Sequence, residues 1–270
     1  MTPVLVFDIE TIPDVAGIRR LHGLNDSLTD AEAAEVVFAE REAKTGGRFL
    51  PHYMQKIAAI SCVLRKTARE GGATFHVGSL GEPESGEAEL VEKFFALIEK
   101  YTPQLVSWNG SGFDLPVLHY RAMVNGIEAS RYWDMGEGNG YDSRDFKWNN
   151  YISRYHMRHF DLMDLLASYQ ARAYAPLDDL AKLCGFPGKM GMDGSQVWQA
   201  WQEGKIGEIR QYCETDVVNT YLLYCRFQLM RGGFSRDEYE EEIAFVKKSM
   251  AGMDGPQWPG YLAAFADAKA

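Results

Sequence analysis

The chain opens on a continuous apolar run, Val4-Leu5-Val6-Phe7, followed at once by Asp8. A short run of this kind, ending at acidic residues, predicts a strand buried on both faces that terminates at a site. Apolar runs at Ile57 to Leu64, Ala73 to Val77 and Leu105 to Trp108 predict further strands, and Phe160-Asp161-Leu162 a last, short one. Between them the period changes to that of a helix. Thr29 and Glu32 form a capping box at the Ala- and Glu-rich stretch Ala31 to Lys44, and Glu87 to Tyr101 carries Leu90, Val91, Phe94, Phe95 and Ile98 at helical spacing. The turn Asn109-Gly110-Ser111-Gly112 leads into a helix from Phe113, whereas no period holds from Glu128 to His159. Helices are then predicted over 163–173, 177–184, 195–203 and 206–231, with Gly232-Gly233 stopping the last. Residues 252–270, with Pro256 and Pro259, read as a loosely packed tail. Strands mixed with helices first, and helices alone afterwards, predict an α/β fold with one central sheet.

Composition narrows this picture. With 270 residues, 46% hydrophobic and 24% charged, the chain is globular and long enough to bury a large core. Its 28 Lys+Arg against 38 Asp+Glu give a net charge of −10, which excludes binding dominated by a broad basic face. Nucleic acid remains open as a substrate, because a cleft carries its own local field. Cys62, Cys184, Cys213 and Cys225 stand far apart with no CxxC pair, so reduced thiols are expected and neither a zinc site nor a disulfide framework. No basic leader precedes Val4, and no apolar run approaches the roughly 20 residues that span a bilayer, so a soluble, cytoplasmic protein with no membrane partner is expected.

Three short patterns carry chemistry. Asp8 and Glu10, at i and i+2 on a strand, project to one face at the strand end, where open α/β sheets place ligands. Like charges so close are costly unless neutralised, and hard divalent cations prefer oxygen ligands; the alternative is an N-cap or a solvated strand end. Asp114 follows a glycine-rich turn and, on its own, reads as the N-cap of the next helix. Tyr212 and Asp216, at i and i+4, share a helix face, which alone is equally a surface contact.

Taken in order, Phe7-Asp8-Ile9-Glu10-Thr11, Asn109-x-x-x-Phe113-Asp114 and Tyr212-x-x-x-Asp216 resemble the three motifs of the DEDD superfamily of 3′–5′ exonucleases, in its tyrosine version. The second motif has the form seen in the proofreading domains of family-B DNA polymerases, and the nearest likeness is to stand-alone bacterial proteins related to those domains. The histidine version looks excluded, since the last histidine is His159. The resemblance implies a ribonuclease H-like fold with a central mixed five-stranded sheet flanked by helices, spanning residues 1–232, with 233–270 as a C-terminal extension. A helical insertion at about 13–52 is the departure from the pattern.

The resemblance also implies that Asp8, Glu10, Asp114 and Asp216 hold two divalent cations, Mg²⁺ or Mn²⁺, with Asp8 bridging. Tyr212 would orient the attacking water, because a hydroxyl with a pKa near 10 is a poor base at neutral pH. The product would be a 5′-mononucleotide from the 3′ end of single-stranded DNA or RNA, DNA favoured. Asn109, Phe113, Thr11 and Ile12 would meet the substrate, with Phe113 alternatively in the core. No polymerase domain fits in 270 residues, so any proofreading would act in trans.

Other segments stay ambiguous. Residues 141–160 mix Arg144, Lys147, Arg154 and Arg158 with Tyr141, Phe146, Trp148, Tyr151 and Tyr155, which suits either single-strand stacking or an irregular core filler. His52, Lys56, Arg65, Lys66 and Arg69 read as a solvated strand edge, Asp161 and Asp164 as helix caps, and Cys213 as a buried small side chain. A catalytically idle nucleic-acid-binding module and an endonuclease on the same core are the competing functions.

Overall fold

The computed structural model describes residues 2–67, 72–137 and 143–267. Arg69 and Tyr141 lie outside them. The strands are β1 (Val4–Pro13), β2 (Gln55–Thr67), β3 (Ala73–Ser79), β4 (Gln104–Ser107) and β5 (His159–Asp161). The helices are α1 (Val15–His22), α2 (Asp30–Thr45), α3 (Glu87–Tyr101), α4 (Asp114–Asn125), α5 (Ser143–Phe146), α6 (Leu162–Leu166), α7 (Leu177–Leu183), α8 (Val197–Gln202), α9 (Ile206–Met230), α10 (Arg236–Met250) and α11 (Gln257–Asp267). The sheet has five strands in the order β3-β2-β1-β4-β5; β1 and β2, and β2 and β3, run antiparallel, and β4 is parallel to β1 and β5. This is the α/β, ribonuclease H-like arrangement of a mixed five-stranded sheet flanked by helices.

The central strand is apolar except at Asp8, Glu10 and Thr11, because both its faces are covered. Leu5, Phe7 and Ile9 join Leu90, Phe94 and Leu118 of α3 and α4, whereas Val6 joins Val217, Tyr221 and Leu222 of α9 on the other face. Asp8 and Glu10 therefore fall on the α9 side. The β1–β2 register shifts between Glu10 and Thr11, where Ala58 is the extra residue on β2; a bulge re-aims the strand beside the acidic pair. Helix α9 is buried on most of its circumference, as expected of a core helix.

Two expected elements differ. The helix predicted over 163–173 stops at Leu166, because Ser168 and Tyr169 adopt left-handed φ of 52° and 59°. Residues 252–270 are not a loose tail: Trp258, Tyr261 and Phe265 of α11 are buried in the α9 core. Pro259 misleads there, since it occupies the first turn, where a missing N–H costs no helical bond.

The segment 13–52 carries α1 and α2, the second with the capping box at Thr29 and Glu32. A buried ion cluster ties it to the core: Arg121 donates to Glu87 at 2.7 and 2.6 Å and to Asp14 at 2.7 Å, while Glu87 also accepts the Ile57 N–H. Nor is the basic run a solvated edge throughout. Arg65 pairs with Glu242 of α10 at 2.8 and 2.6 Å, and His52 lies against the Phe113 ring. Among the described residues, no helix is long and apolar enough to cross a membrane.

Candidate functional site

Asp8 and Glu10 meet α9 at Cys213: one ligand atom from each of the three lies within 4.8 Å of the others. The Cys213 thiol is 3.5 Å from the Asp8 main-chain oxygen and from its Oδ2. Burial first, and then the charges of Asp8 and Glu10, push this thiol far up, so it stays protonated and donates to Asp8. Cys213 is thus a buried small donor here, unsuited to nucleophilic attack or to holding a hard cation.

Asp114 is not the N-cap that its position alone suggests. Phe113 takes that place without a side-chain cap bond, and the Asp114 Oδ1 instead accepts the Ile9 N–H at 3.1 Å, between the two acids of β1. The turn before it is held from outside. Asp161 caps α6 through the Met163 and Asp164 N–H groups and also accepts the Asn109 N–H at 3.0 Å and the Ser111 N–H at 2.8 Å. Asn109 is left-handed, with φ of 65°, a conformation that asparagine tolerates. A Cβ on Gly110 would stand 2.3 Å from Ser107 Oγ, so this turn packs too tightly onto β4 for any side chain there.

From α9, Tyr212 and Asp216 reach the same place, each 4% exposed. Lys189 completes the group. Its ammonium donates to the Tyr212 hydroxyl and lies 3.6 Å from Asp216 Oδ2, while Asp216 Oδ1 is buried with no partner among the described residues. Glu214, between the two, faces away and accepts from Ser79 and Gln257.

The electrostatics follow from packing these acids together. Burial raises Asp8 well above the ordinary carboxylate range, reinforced by the charges of Asp114, Glu10 and Asp216. Glu10 rises for the same reasons, partly offset by Lys189. Asp114 is pushed up to about 7 and Asp216 to about 6, burial being the largest cause in both. Burial, then Asp216, Glu10 and Asp8, drive Tyr212 far above its ordinary value. One lysine cannot neutralise four carboxylates. The all-oxygen donor set and the orphaned Asp216 oxygen both suit hard divalent cations.

The residues expected around the substrate part company. Asn109 Oδ1 is folded over its own turn, 2.4 Å from where a Gly112 Cβ would stand. Phe113 is half-buried, its ring 5.4 Å from that of the exposed Phe49 and 5.5 Å from that of His52, so the end of the 13–52 segment borders the turn that carries Asp114. Thr11 is half-buried beside the bulge. Ile12 is a correction: at 3% exposure, packed with Ala59, Val197 and Ile209, its side chain offers no face to a ligand. In the 141–160 segment Phe146 and Tyr151 fill the core, whereas Trp148 and Tyr155 are exposed.

Three residues went unseen in the sequence. Lys189 is one; Asn219 and Tyr261, which hold its loop, are the others. Asn219 accepts the Gly188 N–H at 3.3 Å and donates to the Gly188 carbonyl at 2.7 Å, and the Tyr261 hydroxyl donates to Asn219 Oδ1 at 2.7 Å. The Lys189 N–H itself goes to Asp178 at 2.7 Å. Pro187-Gly188 marks a turn in the sequence, but nothing there places a lysine beside Tyr212.

The family described as "Predicted 3'-5' exonuclease related to the exonuclease domain of PolB" matches residues 47–265, which include Asp114, Tyr212 and Asp216 but begin after Asp8 and Glu10. Among solved structures the chain is similar to the family B DNA polymerase from the hyperthermophilic archaeon Pyrobaculum calidifontis, with 16% identity and a TM-score of 0.47, over 85% of this chain and 25% of that one. It spans about a quarter of that polymerase. No curated protein matches the chain. The family match covers well over half the sequence and runs through the C-terminal helices, so the chain belongs to the family of predicted 3′–5′ exonucleases related to the exonuclease domain of PolB.

Proposed function

We propose that the protein is a metal-dependent 3′–5′ exonuclease of the tyrosine type, a bacterial enzyme that releases 5′-mononucleotides from single-stranded ends, DNA favoured. The observation that carries this reading is the convergence of half-buried Asp8 with buried Glu10, Asp114 and Asp216, all with raised proton affinities and with one nearby lysine. Asp8, Glu10, Asp114 and Asp216 would hold two divalent cations, Mg²⁺ or Mn²⁺. Such ions lower the pKa of a bound water and offset charge developing on the scissile phosphate.

The chain's own groups do the rest. Tyr212, kept protonated, orients the attacking water through its hydroxyl and does not act as a base. Lys189 fixes that hydroxyl and adds a positive charge beside Asp216. Phe113 and Phe49 offer ring faces near the Asp114 turn for unpaired bases. With a net charge of −10, grip on long strands would be weak and salt-sensitive, concentrated at the 3′ end.

Linear and circular single-stranded DNA, incubated side by side with Mn²⁺, test the reading. The linear strand is expected to be degraded and the circle spared. Cleaved circles would make the protein an endonuclease, and tight binding without turnover under any divalent cation would make it an idle binding module.

A further inference from the structure

Beyond the carboxylates, a cavity of about 380 Å³ opens beside the ends of β4 and β5, on the flank of the Asn109–Asp114 turn. Ser111, His119, Trp133, Arg154, Tyr169 and Tyr174 line it. We propose that this cavity takes an unpaired nucleobase, with its phosphate, from the strand whose 3′ end lies at the carboxylates; the proposal rests on the exonuclease reading.

The walls are rings held in place. Trp133 is 50% exposed and Tyr174 40%, so aromatic faces stand open to a ligand. The tyrosine hydroxyls are tied back, Tyr169 donating to the Arg154 carbonyl at 3.0 Å and Tyr174 to Asp164 Oδ1 at 2.7 Å. Ser168 and Tyr169 are consecutive non-glycine residues in the left-handed region, with φ of 52° and 59°. Such conformations persist only where the surroundings enforce them, and they gather at ligand sites. Here they break α6 and turn the chain at the cavity edge.

The polar groups suit a base with an attached phosphate. His119 Nε2 is buried without a hydrogen-bond partner among the described residues. Burial pushes this imidazole down to about 4, so at neutral pH it is uncharged, with one ring nitrogen to donate and one to accept. The Arg154 guanidinium lies 5.2 Å from the Tyr169 ring centre and 5.8 Å from that of the exposed Tyr155, a cation beside stacking faces. The volume is at the small end of ligand pockets, room for one nucleotide rather than a duplex. Ser111 and Gly112 belong both to this wall and to the turn that ends at Asp114, so that turn joins the cavity to the carboxylate site.

The test is binding of 5′-fluorescein-labelled dithymidylate and hexathymidylate by anisotropy, with Ca²⁺ in place of Mn²⁺, comparing the wild type with Trp133→Ala and Tyr174→Ala. Both side chains are half-exposed, and melting curves check that each variant stays folded. Losing one stacked base is expected to weaken hexanucleotide binding about 5- to 150-fold and leave the dinucleotide unchanged. If both folded variants bind the hexanucleotide like the wild type, or lose affinity equally for both lengths, the inference falls. If the hexanucleotide is bound through these rings but never shortened with Mn²⁺, the base site stands and the exonuclease reading falls instead.

Discussion

Replacing Asp114 by asparagine is expected to stabilise the metal-free protein, and to do so more as pH rises. The Asp114 carboxyl is 3% exposed and its pKa is pushed from 3.8 to about 7 by burial and by the charge of Asp161. A raised folded-state pKa means that the native protein holds this proton more tightly than the unfolded chain does. Stability is therefore highest below about pH 4 and falls as pH rises towards 7, above which the full cost of ionisation is present. At about 1.4 kcal/mol for each tenfold change in proton affinity, that cost is about 4 kcal/mol at pH 8 and about 1–2 kcal/mol at pH 5. Asparagine keeps an oxygen for the Ile9 N–H and carries no charge. It also relieves Asp8, for which Asp114 is the largest neighbouring charge. At roughly 2–4 °C per kcal/mol, Tm in EDTA is expected to rise by roughly 8 °C or more at pH 8, with a much smaller gain at pH 5. With Mn²⁺ the order is expected to invert, because the wild type gains a ligand that the variant holds poorly. The assay is circular dichroism melting from pH 5 to 8, with and without EDTA. A variant no more stable than wild type at pH 8, or a gain independent of pH, would refute the reasoning.

Other expectations are more direct. Lys189→Met removes the cation beside Tyr212 and Asp216 and is expected to lower turnover by roughly 10²-fold with little change in Tm; a wild-type rate would remove Lys189 from the site. Tyr261→Phe takes one hydrogen bond from Asn219, expected to cost about 1 kcal/mol in urea unfolding and to slow turnover further by loosening the Gly188–Lys189 turn. Arg121→Met leaves Glu87 and Asp14 as buried charges without their partner, expected to cost about 3–5 kcal/mol in the same unfolding measurement. An unchanged unfolding midpoint would mean that the ion cluster does not anchor the 13–52 segment.

The parts legible in the sequence were those that local pattern determines. Val4 to Phe7 reads as buried because both sides of β1 are covered, and the capping box at Thr29 is written in two residues. The carboxylates were visible because their spacing along a strand and a helix sets which face they share. Long-range consequences were hidden. Ser168 and Tyr169 carry no glycine or proline signal, so the early end of α6 depends on contacts such as the Tyr169 N–H to the Asp164 carbonyl. The C-terminal helix looked loose because Pro259 marks a first turn as readily as a break. Lys189 reaches Tyr212 only after Asn219, thirty-one residues beyond Gly188, has fixed its turn. Asp114 left its cap position for a like reason: Asp161 caps α6 as expected, but that it also holds the Asn109 turn and so sets where Asp114 sits depends on where β5 ends beside β4.

The central claim is hydrolysis at a cluster of four carboxylates charged with divalent cations. It is tested most directly by digesting a 5′-labelled single-stranded oligonucleotide with wild type, Asp8→Asn and Asp216→Asn, each with Mn²⁺ and again with EDTA. The wild type with Mn²⁺ is expected to give a ladder shortening one nucleotide at a time from the 3′ end, with no cleavage in EDTA or by either folded variant. Full activity in EDTA, or an unchanged ladder from both variants, would contradict it.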